Sequence, residues 1–117
     1  MKIIIAGSRT VANYEEIVHA MHLSLFSPTE IVSGTATGAD TFGEQYAAKM
    51  GFLCTRFKPD WSGLGKRAGF VRNVSMGNYA DALVAVWDRR SRGTKHMIEY
   101  MKSLNKPVEV VYANSTR

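Results

Sequence analysis

The residues best suited to chemistry lie in a few short polar stretches. Gly34-Thr35-Ala36-Thr37-Gly38-Ala39-Asp40 combines two glycines, two threonines and a carboxylate ahead of a helical pattern. Glycine lets the chain turn and lets a ligand lie against its backbone. The loop N–H groups and threonine hydroxyls can wrap a phosphate, and a helix start adds unpaired donors and partial positive charge. The same stretch also reads as a tight strand-to-helix turn in which Thr37 and Asp40 form a capping box. Ser91-Arg92-Gly93-Thr94 repeats the pattern, and Gly7-Ser8-Arg9 follows an apolar run. Arg9, Lys66, Arg67, Arg72 and Arg92 supply cations, and arginine suits planar, bidentate recognition of phosphate or carboxylate. Trp61 either stacks on a base or pins its own loop. Arg72 and Asn73 are neighbours in a helical pattern, which directs one to a cleft and the other toward a neighbouring subunit. Cleavage of a glycosidic bond needs an acid or base beside the sugar. Asp40 and Asp88 are the candidate catalytic groups, and Glu44 reads as solvated.

Other chemistries lack their signatures. The first strand is not followed by G-x-G-x-x-G, and no GxxxxGK[ST] occurs, so dinucleotide and P-loop sites have no support. His19 and His22 lack a third ligand, and no CxxC spacing exists, so no metal and no cofactor is expected. The one cysteine, Cys54, reads as a buried structural thiol. Fifteen Lys and Arg against ten Asp and Glu give +5. This charge suits an anionic partner but does not separate a nucleotide from a nucleic acid. The N-terminal apolar run is too short for a signal peptide and no stretch approaches a membrane span, which gives a cytoplasmic reading without membrane contact.

These groups need a frame, and 117 residues suffice for one domain, 1–117. Ile3–Ala6, Glu30–Ser33, Phe52–Phe57, Ala82–Trp87 and Pro107–Tyr112 read as strands. Helices are expected from a capping box at Asn13 and Glu16, from the 34–40 loop to a C-cap at Gly51, from about Gly65 or Lys66 to Asn78, and after Ser91. On the first helix Tyr14, Ile17, Val18, Met21 and Leu25 share a face. Residues 58–69 read as an irregular loop until that third helix begins. Alternation of five strands with four helices implies an α/β, three-layer Rossmann-like domain. Its five-stranded parallel sheet is expected in order 3-2-1-4-5, with helices on both faces. All the polar loops then converge at the carboxyl ends of the strands, where such sheets bind ligands.

The motifs Gly7-Ser8-Arg9, Ser33–Asp40, Asp60-Trp61, Gly65–Gly69, Arg72-Asn73 and Ser91–Thr94, in this order, resemble the YspA-like (DUF2493) family of the SLOG superfamily, which also holds DprA and the LOG phosphoribohydrolases. The resemblance implies a nucleotide or nucleotide-derived ligand, a cyclic or ADP-ribose-type signal among them, that the protein senses or sequesters. It places the ligand at Gly34–Asp40 and Ser91–Thr94, and implies a homo-oligomer. LOG enzymes carry PGGxGTxxE with a catalytic glutamate. Here Gly93-Thr94 match the GT, but Met97 stands at the glutamate position and Glu99 lies roughly 200° further round the helix. The alternative readings are a nucleotide N-glycosidase or phosphoribohydrolase and, behind it, a single-stranded nucleic-acid binder.

Overall fold

A computed structural model describes residues 1–113. The strands are β1 (Lys2–Gly7), β2 (Glu30–Ser33), β3 (Leu53–Arg56), β4 (Ala82–Trp87) and β5 (Val108–Tyr112). They form one parallel sheet in the order β3-β2-β1-β4-β5. The Rossmann-like α/β architecture expected from the alternation is therefore observed. Its topological switch lies between β1 and β4, where the order reverses.

The apolar runs of β1 and β4 are continuous because both faces of these strands are covered. Ile3, Ile5, Ile31, Val84 and Val86 point to one face. There they meet α1 (Tyr14–Ser24) and α2 (Ala39–Met50) through Ile17, Ala20, Met21 and Ala47. Ile4, Ala6, Val32, Leu83 and Ala85 point to the other. Two further helices cover it: α4 (Ala68–Tyr79) contributes Met76, and α5 (Arg92–Ser103) contributes Met97, Ile98 and Met101. The methionines of α5 are core, as their spacing suggests.

Several local details differ from expectation. Residues 61–67 are not irregular: α3 (Trp61–Leu64) is one helical turn, and a 3₁₀ turn at Gly65–Arg67 leads directly into α4. Asp60 starts this run by accepting the Gly63 N–H at 2.9 Å, a local cap. Asn13 is the N-cap of α1, but its side chain makes no capping hydrogen bond. Leu25 does not join the buried face of α1. It ends the helix in the left-handed conformation at φ 59° and is 88% exposed. Gly51 ends α2 as expected. Cys54 is half-buried on the edge strand β3, where burial raises its thiol above the ordinary range. Among the described residues, no helix is long and apolar enough to cross a membrane.

Candidate functional site

Among the described residues, five of the six buried polar ones, Ser8, Ser33, Asp40, Asn73 and Thr94, stand at the carboxyl edge of the sheet. Burying such groups is costly unless they are paired. Among the described residues every buried side-chain nitrogen and oxygen has a partner. Ser8 ties the edge together. Its N–H donates to Val86 O at 3.0 Å, its carbonyl accepts the Ala39 N–H at 3.3 Å, and its hydroxyl accepts the Asp88 N–H at 2.9 Å. One residue thus joins the ends of β1 and β4 to the start of α2.

The loop after β2 is shaped by its two glycines. A Cβ at Gly34 would stand 2.7 Å from Arg72 Nη1 and 2.9 Å from Asp40 Oδ2. The bare Gly34 backbone is thus wedged between a guanidinium and a carboxylate. Its carbonyl accepts a hydrogen bond from Arg72 Nη1. Gly38, at φ 75° and ψ −124°, takes a conformation suited to glycine, and a Cβ there would come 2.5 Å from Ser8 O. Gly38 is itself the N-cap of α2, so the capping box expected from Thr37 and Asp40 does not form. Asp40 instead reaches back, Oδ2 accepting the Ala36 N–H at 3.1 Å. Thr35, between the two glycines, is held at φ 67°, a costly conformation for a β-branched side chain.

These loops enclose a two-lobed cleft. The inner lobe, about 260 Å³, lies over Ala6, Met76 and Met97 and is walled by Asp40, Asn73 and Thr94, with Gly7, Ser91 and Gly93 at its margins. The outer lobe, about 410 Å³, is bounded by Gly34, Thr35, Thr37, Lys58, Pro59 and Trp61. Arg9, Ala36 and Arg72 line both lobes. A separate hollow of about 300 Å³ on the outer flank of α1, beside Glu15, His19 and Tyr112, shares no residue with the cleft.

Arg72 and Asn73 both face the cleft, against the expectation that one would turn away. Arg72 Nε donates to Asn73 Oδ1 at 3.0 Å, and Asn73 Nδ2 donates to Gly93 O at 3.0 Å. This relay links the loop after β2 to the start of α5. His96 Nδ1, 3.2 Å from Asn73 Nδ2, supports it from behind, its ring packed against Phe70.

The ionisable groups respond to this setting. Burial pushes Asp40 up to about 6, although the Ala36 N–H and the nearby Arg72 pull it down. Burial lowers Arg72, against the attraction of Asp40. Asp88 has another role. Burial raises it, but the Ser91 and Arg90 N–H groups and the Ser8 and Thr10 hydroxyls outweigh this and hold it below the usual carboxylate range. Its Oδ1 accepts both N–H groups at 2.8 Å, which fixes the turn before α5, and it does not line the cleft. Ser91, the N-cap of α5, accepts the Thr94 N–H at 3.3 Å.

Lys66, Arg67 and Arg92 are exposed and line neither lobe. Glu44, read as solvated, is tied down: it accepts the Ser33 hydroxyl at 2.7 Å and pairs with Arg56 at 2.9 Å. Lys58 was not singled out in the sequence, yet it lines the outer lobe. Its place just past the end of β3 is the signal that marks it. Among the described residues, no three His, Cys, Asp or Glu gather as a metal site.

Residues 1–63 match the model of the family described as YspA, cpYpsA-related SLOG. The chain belongs to that family. This SLOG chain is also 31% identical to the Gene 61 protein of Mycobacterium phage D29, over 92% of its own length and 93% of the relative's. No solved structure matches it. Membership of the SLOG family is consistent with a nucleotide-related function.

Proposed function

We propose that the cleft binds a nucleotide-derived small molecule and holds it without cutting it. The observation that carries this reading is the convergence on one cleft of Asp40 from α2 with Arg72 and Asn73 from α4, over an apolar floor. Small-molecule sites have this make-up, an apolar enclosure with a few aimed polar groups. Arg72 offers charge-assisted donors, Asp40 an acceptor for sugar hydroxyls, and the floor methionines a soft surface for a base. Sequestering or sensing a nucleotide-derived signal fits such a site. Met97, buried in the floor, stands where LOG enzymes carry a catalytic glutamate, and Glu99 is exposed.

The test is mass spectrometry of small molecules released when the purified protein is denatured, followed by calorimetry with a nucleotide panel. Recovery of a nucleotide, intact after incubation with fresh protein, is the expected result. Absence of any bound nucleotide together with no binding across the panel would refute the reading. One observation favours hydrolysis as a second reading: a carboxyl with a pKa of about 6 in the inner lobe is poised for acid–base work. That reading requires release of free base, and its loss in Asp40→Asn with binding retained.

A further inference from the structure

The two lobes of the cleft differ in charge. Arg9, Lys58 and Arg72 line the outer lobe, and no carboxylate does. Asp60 neighbours it in sequence but is occupied: Oδ1 accepts the Gly63 N–H at 2.9 Å and the Ser62 hydroxyl at 3.1 Å. The inner lobe shares Arg9 and Arg72 but lacks Lys58 and adds the buried carboxylate of Asp40, over an apolar floor. Its helix end at Ser91–Thr94 is the feature that the sequence suggests for a phosphate. The chain occupies part of that end, with the Asp88 carboxylate on the Arg90 and Ser91 N–H groups just ahead of the helix and the Ser91 hydroxyl on the Thr94 N–H. A phosphate placed there would face Asp40 across the same small space and Asp88 at the same helix end. Two like charges confined together are unfavourable, the more so away from water.

We infer that the ligand lies across the cleft with its phosphoryl end in the outer lobe, on Arg9, Lys58 and Arg72, and its nucleoside end in the inner lobe. This rests on the nucleotide reading above and fixes the direction of the ligand within it. Arg72, shared by the lobes, meets the first phosphoryl group beside the sugar. Lys58, which lines only the outer lobe, meets the group beyond and so determines specificity for the number of phosphates. Thr35 and Thr37 stand on the same wall with hydroxyls to donate, and the Trp61 indole bounds the far side. In the inner lobe Asp40 accepts from sugar hydroxyls, a role open to a carboxylate and not to a phosphate's neighbour.

Calorimetry at pH 8 with the four common ribonucleosides and their 5′-mono- and 5′-diphosphates tests the placement. For the wild-type chain, affinity rises with each phosphate. Lys58→Ala removes roughly 10- to 100-fold from the diphosphates and leaves the nucleosides unchanged. Lys58 is exposed, so the variant retains the fold, which circular dichroism checks. Asp40→Asn weakens nucleosides and diphosphates by the same factor. Were the phosphates beside Asp40, removing its charge would strengthen diphosphate binding alone, and that outcome overturns the placement. Survival of the phosphate increment in Lys58→Ala does the same. As an independent readout, inorganic pyrophosphate is expected to shift the Trp61 indole N–H resonance and not the Thr94 amide, and the reverse overturns the inference. If no member of the panel binds the wild-type chain, the nucleotide reading falls and takes this one with it.

Discussion

Asp40 concentrates the tension of the site. It is buried beside the Arg72 guanidinium without forming an ion pair with it, and among the described residues one backbone N–H is its only hydrogen-bond donor. Its folded pKa, about 6, lies above the ordinary 3.8. The folded chain therefore binds the proton more tightly than the unfolded chain. Stability from this group is greatest below about pH 4, falls as pH rises toward 6, and stays low above it. A shift of this size corresponds to at most about 3 kcal/mol. Asp40→Asn keeps an acceptor for the Ala36 N–H and removes the charge. Urea unfolding from pH 4 to pH 8 is expected to show a decline in the wild-type chain that the variant lacks, with the variant the more stable at pH 8. Equal slopes for the two would mean that Asp40 is not the source. The sequence showed Asp40 as a cap or a ligand-facing acid without choosing between them. The choice depends on Gly38 taking the N-cap position, which rests on a backbone contact with Ser8, 30 residues earlier in the chain.

At the level of elements, the loop between β2 and α2 holds strain at Thr35. Costs of about 1–3 kcal/mol are typical for such backbone outliers. Thr35→Gly keeps the N–H bond to the Ser33 hydroxyl, 3.1 Å in the native loop, and relieves the side chain's clash with its own backbone. It is expected to raise stability by about 1 kcal/mol, measured as an unfolding midpoint, while weakening ligand binding because the loop loses its set shape. A variant that is both less stable and equally tight in binding would show that Thr35 is not strained. The strands and their order were legible because apolar runs and alternation depend only on burial. The α3 turn was not. Its glycines and polar residues lack a helical period, and Asp60 organises it through a local hydrogen bond that no pattern of hydrophobicity records. Leu25 likewise fits the helical face on paper, but the helix stops beneath it. The partners of Glu44 were hidden for a further reason: Arg56 is on the next strand, and only the parallel register brings it near.

The molecule as a whole places its cations unevenly. Of the five basic residues singled out in the sequence, Arg9 and Arg72 reach the cleft, while Lys66, Arg67 and Arg92 remain outside. The net charge therefore did not locate the site. Because the cleft exists only in the folded chain, a ligand that fills it stabilises the fold. At a free concentration of a hundred times Kd the gain is about 2.7 kcal/mol, which raises Tm by roughly 10 °C. Thermal melts with the tightest member of the panel test this, and an unchanged Tm at saturation would place that ligand elsewhere.

The cleft is discontinuous in the chain. Arg9, the 34–40 loop, Lys58 and Trp61 come from its first half, and Arg72, Asn73 and the residues from Ser91 to Met97 from its second. The exposed turn of α3 lies between them. A molecule seated in the cleft would touch both segments at once, which the β1–β4 pairing already holds together. Cut at Gly63, the halves would carry one wall each, and the β1–β4 pairing with the core beneath it would have to re-form before the two walls could face one another again.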